Sequence, residues 1–138
     1  MIHFFSAPTN LKNRTKLKKY ILYLMKQEGR KVDTINIIFC TDKELLVINR
    51  NYLNHNFLTD IITFDLTQNK KLPACAELYI STERVKENAV IHKSTFKNEL
   101  HRVIFHGLLH LCGYLDKTNQ DIKVMRLKED KYLNHYKP

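Results

Sequence analysis

One long segment of the chain is apolar around most of the circumference of the helix that it predicts. Thr95 can cap this helix, and Gly113 ends it. Its apolar positions include Leu100, Val103, Ile104, Leu108 and Leu111. A helix without a wide polar face is usually buried at the centre of a domain. The other elements must therefore pack around this helix.

The remaining chain alternates between strand and helix patterns. Strands are predicted at 1–5, 34–40, 60–66 and 76–80. One further helix is predicted from Asn10 to Gly29, and another after Thr41, where Glu44 completes a capping box. A third is predicted from Ser81 or Thr82 to about 91. A fourth covers about 119–135, with Ile122, Met125, Tyr132 and Tyr136 near one side. The polar turn at 68–73 makes the third and fourth strands antiparallel. This order predicts an α+β fold, in which a small four-stranded mixed sheet packs with about five helices.

The length of the chain and its cysteines indicate the class of protein. The 138 residues suit a single domain spanning 1–138. The chain has three cysteines, Cys40, Cys75 and Cys112, without a CxxC spacing. This pattern favours reduced thiols in a cytoplasm over a secreted disulfide framework. No apolar stretch approaches the roughly 18 residues of a membrane span, and the N-terminus lacks the pattern of a signal peptide. We therefore expect a cytoplasmic protein without a membrane segment.

The charge of the chain favours contact with a polyanion. Lys and Arg number 23 against 14 Asp and Glu, which gives a formal net charge of +9. A field of this sign attracts nucleic acids and speeds their encounter. The lysines are dispersed, however, with dense spots only at 16–19 and 70–71. A solvated lysine-rich surface is therefore the alternative to a nucleic-acid interface.

Two histidines on the central helix predict a metal site. His106 and His110 are four residues apart, so their imidazoles project from one face with Cβ atoms about 5 to 6 Å apart. After Gly113 the chain can turn back and bring Asp116 to the same point. Two imidazoles and a carboxylate leave a fourth tetrahedral position open, as a catalytic zinc ion requires. The alternatives are two buried histidines with core hydrogen bonds, and an Asp116 that lies on the surface or caps the last helix.

Three neighbouring residues refine this interpretation. Glu99 lies seven residues before His106 on the same face, where it can support a histidine, act near a substrate or simply face solvent. Cys112 points about 200° away from His110 and is interpreted as part of the core. Gly107 occupies the position of the general base in HExxH metallopeptidases, so a peptidase would lack its base. A glycine inside a helix also indicates a close approach by another part of the molecule.

Three segments of the chain resemble the YbeY family of rRNA maturation factors. Residues 106–114 read HGLLHLCGY and are similar to the family signature HGxLHLxGYDH. Residues 58–64, LTDIITF, resemble PTDVLSF, and residues 76–81, AELYIS, correspond to GDIVIS. The order of the elements also agrees, so the resemblance covers about 33–130.

This resemblance implies a zincin-like fold and a zinc-dependent, single-strand-specific endoribonuclease. The family acts in 16S rRNA 3′-end maturation and in ribosome quality control. The implied partners are rRNA and the small ribosomal subunit, with no DNA and no membrane. One Zn²⁺ per chain is implied, with His106, His110 and Asp116 as its ligands and catalytic residues.

The chain departs from the family pattern at several positions. Asp116 stands where the family has a third histidine, and Leu115 where it has the preceding aspartate. A carboxylate ligand is harder than an imidazole, which can alter the affinity for the metal or the choice of metal. Leu53 stands where the family has an arginine thought to help bind RNA. Arg50 and Arg102 are therefore the candidates for phosphate contact.

Two other functions remain open on the sequence. One is a metallohydrolase of peptides or small molecules, which would have a deep apolar pocket beside the metal. The other is a ribosome-assembly factor with a structural metal, which would have four protein ligands. An open coordination position that faces a basic groove would favour the nuclease. Hydrolysis would proceed through an activated water or the 2′-hydroxyl of the RNA.

Overall fold

The computed structural model describes residues 1–136. Within this range the chain forms a four-stranded mixed sheet and five helices. The strands are β1 (Ile2–Phe5), β2 (Val32–Cys40), β3 (Ile61–Asp65) and β4 (Ala74–Ser81), and the helices are α1 (Arg14–Gln27), α2 (Asp42–Leu53), α3 (Thr82–Ile91), α4 (Phe96–Leu111) and α5 (Asn119–His135). This architecture confirms the predicted α+β class. Among the residues described, no helix has the length and apolar character to cross a membrane.

The sheet has the strand order β1-β2-β4-β3. β2 runs parallel to both of its neighbours, β1 and β4, whereas β3 runs antiparallel to β4, as the short polar turn between them predicted. Side chains alternate between the two faces of a strand, and in β2 every second residue is buried. The buried positions are Ile35, Ile37 and Phe39 of β2 and Ala74, Ala76, Leu78 and Ile80 of β4. This apolar face of the sheet is part of the hydrophobic core.

α4 is the central helix of the core. It packs against β3, β4, α1, α3 and α5, and its residues Leu100, Ile104 and Leu108 are almost completely buried. Gly107 is the point of closest approach to the sheet. A Cβ atom at this position would lie 2.7 Å from Cδ1 of Ile61 and 2.8 Å from Cδ2 of Leu78. The mid-helix glycine therefore allows α4 to lie directly on β3 and β4.

Side-chain caps determine where most of the helices begin. The Thr95 side chain accepts a hydrogen bond from the backbone N–H of Asn98, and Thr41 and Glu44 form the predicted capping box. The prediction that Asn10 caps the first helix is wrong, because α1 begins at Arg14. The chain makes a turn before it, in which the N–H of Leu11 bonds to the carbonyl of residue 8.

α5 covers the predicted range and buries one side against α4. Met125 and Tyr132 are buried, as is Tyr136 just beyond the helix. Ile122 was predicted near the same side but is 47% exposed. Thr118 caps the helix, so Asp116 is not its cap. The structure thus leaves Asp116 in the loop between α4 and α5.

Candidate metal centre

The structure brings the three predicted ligands together. His106 and His110 lie one turn apart near the C-terminal end of α4, with their Nε2 atoms 3.0 Å apart. Gly113 has φ +99°, a conformation that favours glycine, and it reverses the chain after the helix. The Oδ2 atom of Asp116 thereby lies 3.1 Å from Nε2 of His110 and 3.4 Å from Nε2 of His106.

The outer nitrogen of each ring faces a hydrogen-bond acceptor. Nδ1 of His106 lies 2.6 Å from Oε2 of Glu129, and Nδ1 of His110 lies 2.9 Å from the carbonyl oxygen of Tyr114. An Nδ1 that faces an acceptor carries the proton, so in the neutral ring the lone pair is on Nε2. Both Nε2 atoms also lie within 3.4 Å of Oδ2 of Asp116. Three lone-pair donors this close repel one another unless they share a cation.

The three donor atoms fit a tetrahedral metal ion. Zinc bonds of 2.0 to 2.2 Å to nitrogen and oxygen place neighbouring ligand atoms about 3.3 to 3.6 Å apart, so the donors would move apart by a few tenths of an ångström to bind the ion. The separations here are 3.0, 3.1 and 3.4 Å. The side chains of His106 and His110 are about one quarter exposed, at 24% and 25%, and that of Asp116 is 44% exposed. The site therefore combines fixed imidazoles with access from solvent.

Glu129 on α5 supports His106 from behind. Its side chain is 6% exposed, and its Oε1 accepts a hydrogen bond of 3.0 Å from Arg102. Burial alone would raise the pKa of Glu129, but the hydrogen bond and charge of His106, together with Arg102 and Arg126, outweigh burial and lower it. Burial likewise opposes a charge on His106, yet the contact with Glu129 raises the pKa of this imidazole. The same negative environment favours any cation bound at Nε2.

Two open cavities meet at the site. One, of about 330 Å³, is lined by Asp60, Glu99 and Glu129 as well as by His106. The other, of about 600 Å³, extends along the loop after α2 and reaches His110. Asp60 borders both cavities, and its pKa is raised because burial disfavours the carboxylate. A ligand bound to a metal here has room on both sides.

Glu99 and Cys112, which lie near the histidines in the sequence, both have partners within the protein. Glu99 is 5% exposed, so the interpretation as a solvent-facing glutamate is wrong. Its Oε1 lies 3.5 Å from Nδ1 of His92, which makes His92 its partner. Cys112 packs with its Sγ 3.6 Å from Sδ of Met25, and burial raises the pKa of its thiol to about 11. A neutral thiol facing the core agrees with its interpretation as core.

The two arginines predicted to contact RNA lie in different surroundings. Arg50 is exposed at the end of α2, where its Nε and Nη2 donate to Oδ1 of Asn56. Arg102 donates to Glu129 and, at 2.7 Å, to Asp130. Its guanidinium is thus shared between two carboxylates behind the metal site. Contact of either residue with RNA stays a prediction.

Sequence reasoning missed Glu129. Met125 and Tyr132 were recognised as the buried side of α5, and Glu129 lies four residues after the first and three before the second. An acid within a buried helical stripe requires a partner, because an unpaired buried charge is costly. This position was the signal that could have identified it.

The fold and the site define an α+β protein with a candidate mononuclear metal centre, in which an HxxxH helix is joined by an acid from the following loop. The chain belongs to the endoribonuclease YbeY family. The family model described as Endoribonuclease YbeY matches residues 6–137. This match confirms the resemblance predicted from the three sequence segments.

Relatives and a solved structure agree with this assignment. The chain is 44% identical over 136 residues to a protein of Cytophaga hutchinsonii named Endoribonuclease YbeY, covering 96% of this chain and 94% of the relative. A protein of the same name from Flavobacterium psychrophilum is 42% identical and is covered to 94%, with 96% of this chain aligned. The solution structure of a Thermotoga maritima protein has a TM-score of 0.67 at 29% identity, covering 97% of this chain and 87% of that one.

Proposed function

We propose that this protein is a metal-dependent endoribonuclease that cleaves phosphodiester bonds in single-stranded RNA. The observation that carries this proposal is the convergence of two imidazole Nε2 atoms and a carboxylate oxygen within 3.0 to 3.4 Å, with cavities on both sides. Relatives that cover nearly the whole chain are named endoribonucleases, which supports the same reaction.

The proposed metal is one zinc ion per chain, held by His106, His110 and Asp116. Two nitrogen donors and one oxygen donor suit zinc, and a catalytic zinc typically has three protein ligands. When bound, zinc would polarise a phosphoryl oxygen and lower the pKa of a water molecule. Among the described residues, only these three form a group of metal-ligating side chains at suitable distances. A structural zinc normally has four, so the assembly-factor alternative is less well supported.

The chain's own residues orient the site for this chemistry. Glu129 and the Tyr114 carbonyl favour the protons at the two Nδ1 atoms, which leaves both Nε2 atoms free to bind one cation. His106, and to a smaller extent Arg102, lower the pKa of Glu129, which favours its ionised form although the side chain is buried. The rings therefore need little rearrangement when a cation binds.

Positive charge beside the metal site would hold the RNA backbone. Lys117 lines the 600 Å³ cavity directly after Asp116, and Arg50 lies at the end of α2. The overall charge of +9 adds long-range attraction for a polyanion. We propose the 3′ end of 16S rRNA as the substrate, the small ribosomal subunit as the partner and the cytoplasm as the location, with DNA left uncut.

Replacing His110 tests the metal and the reaction together. We expect about one zinc ion per wild-type chain, and loss of both zinc and cleavage of a single-stranded RNA in His110→Ala. His3→Ala is the matched control, because His3 lies on β1 away from both cavities, and it should keep both properties. The measurements are elemental analysis and gel assays of a labelled RNA. Cleavage that persists in metal-free His110→Ala would contradict the proposal.

A further inference from the structure

The loop after α2 presents an aromatic pair to solvent beside the candidate metal centre. His55 and Phe57 stack with ring centroids 5.1 Å apart and an interplanar angle of 22°. His55 is exposed, and Phe57 is 57% exposed. The pair therefore leaves aromatic surface open to solvent, where it contributes nothing to the core.

The backbone under this ring pair is held in place by α2. Asn49 is 1% exposed, and its Nδ2 donates a hydrogen bond of 3.0 Å to the carbonyl of Phe57. The N–H of His55 bonds in turn to the carbonyl of Asn49 at 3.2 Å. Arg50 adds the bonds to Asn56 at 3.1 and 2.8 Å. An anchored loop presents its rings with a small entropic cost of binding.

The ring pair and the metal centre open into the same groove. His55 and Phe57 line the 600 Å³ cavity together with His106, His110 and Asp116. Lys117 contributes a cation to the same lining, which matches the charge of a nucleic-acid backbone. A strand with one phosphate at the metal centre would thus lie in the same cavity as the ring pair.

We propose that the His55–Phe57 pair is a stacking platform for one unpaired nucleobase of the RNA that the metal centre cleaves; this rests on the proposed function. Aromatic side chains bind unpaired bases of any identity, because every base has a π-face. In a duplex both faces of a base are covered by its neighbours, so stacking on the pair requires a single strand. The platform therefore provides a physical basis for selecting single-stranded over double-stranded substrate.

A unique fluorophore tests the contact directly. The chain contains no tryptophan, so Phe57→Trp introduces a single one at the platform. We expect its fluorescence to be quenched on titration with a single-stranded 2′-O-methyl RNA, whose integrity after the titration is checked on a gel. The matched control is Phe5→Trp, at a residue that is 48% exposed on β1 and away from the groove, and its fluorescence should not change. Equal responses of the two variants, or bound RNA without quenching in Phe57→Trp, would overturn the proposal.

Affinity measurements separate stacking from general contact. Loss of one stacked base by alanine substitution weakens binding roughly 5-fold to 150-fold. Affinities are measured by the fluorescence anisotropy of a labelled strand. We expect a loss in this range for Phe57→Ala and a similar loss for Phe57→Leu, because leucine is apolar but has no π-face. Phe57→Tyr should bind with near wild-type affinity. One abasic nucleotide in the strand should weaken binding to the wild type but not to Phe57→Ala. Unchanged affinity in Phe57→Ala would refute the platform.

These measurements distinguish failure of the platform from failure of the proposed function. Binding to 2′-O-methyl RNA requires no cleavage, so quenching in Phe57→Trp supports the platform even if the wild type cleaves no RNA. Conversely, cleavage by Phe57→Ala with wild-type KM and kcat would refute the platform and leave the nuclease intact. Zinc content should be equal in Phe57→Ala and the wild type, because the proposed ligands are His106, His110 and Asp116.

Discussion

At the residue scale, the orientation of His106 depends on a carboxylate from another helix. Glu129 contacts Nδ1 of His106 at 2.6 Å and is itself held by Arg102. Such partners fix the tautomer and the ring orientation of a metal-binding histidine, and they increase its basicity. The chain therefore buries a charged side chain beside His106. Two histidines with only a structural role would not require this charge.

Removing the charge of Glu129 tests this support. Glu129→Gln keeps the size and an acceptor oxygen but loses the negative charge, so we expect zinc affinity to fall roughly 10- to 100-fold. Zinc dissociation constants from competition with a chelator would measure the change. Glu87→Gln is the control, because Glu87 pairs with Arg84 at 2.7 Å and is 64% exposed away from the site. Equal zinc affinities of the two variants would contradict the role of Glu129.

At the element scale, the site depends on how closely α4 lies on the sheet. Gly107 is adjacent to His106, and its missing side chain leaves room for Ile61 on β3 and Leu78 on β4. A helix displaced from the sheet would carry the imidazoles away from Asp60 and the groove. The glycine that rules out an HExxH base therefore has a packing role.

Adding one methyl group at residue 107 tests this packing. Alanine favours a helix over glycine by about 1 kcal/mol, whereas overpacking a core costs about 1–3 kcal/mol. With contacts of 2.7 and 2.8 Å from the new Cβ, we expect the cost to prevail and Gly107→Ala to lower the free energy of unfolding in urea. Ile61→Val removes the Cδ1 atom at the closer contact, so the double variant should be less destabilised than the two single changes added together. A Gly107→Ala protein as stable as the wild type would refute the steric argument.

At the scale of the whole molecule, buried ionisable groups link folding stability to pH. His101 on α4 is 5% exposed, and its ring stacks on Phe105 and meets Tyr136 edge-on. Burial, with a smaller contribution from Lys97, lowers the pKa of His101 to about 4. The folded protein thus holds this ring neutral at pH values where the unfolded chain protonates it.

This difference predicts a loss of stability in mild acid. The unfolded histidine binds a proton below its ordinary pKa near 6.5, whereas the folded one does so only near 4, so the contribution of His101 is lost as the pH falls between these values. The loss is on the order of 3 kcal/mol at most. Phe at 101 keeps the ring stacking without a titratable group, so His101→Phe should lose less stability between pH 7 and 4. Urea unfolding of both proteins with a chelator present would measure this, and equal pH dependence would contradict it.

Much of the fold followed from local patterns in the sequence. The apolar periodicity of α4, the caps at Thr41 and Thr95, and the short turn before β4 each depend on neighbours within a few residues. The HxxxH pair is local in the same way, because a spacing of four places both imidazoles on one helix face whatever the rest of the chain does. Asn10 failed as a cap because the turn that ends at Leu11 delays the helix to Arg14.

The tertiary structure alone decided what surrounds the two histidines. Glu129 is 23 residues from His106 in the sequence and reaches it only because α5 packs on α4. Asp60 and the His55–Phe57 pair likewise border the groove because β3 lies beside α4. A residue's position within its own helix or strand follows from the regular period of the backbone, and the sequence displays that period. Contacts between elements depend on how whole faces pack together, so no local pattern specifies them.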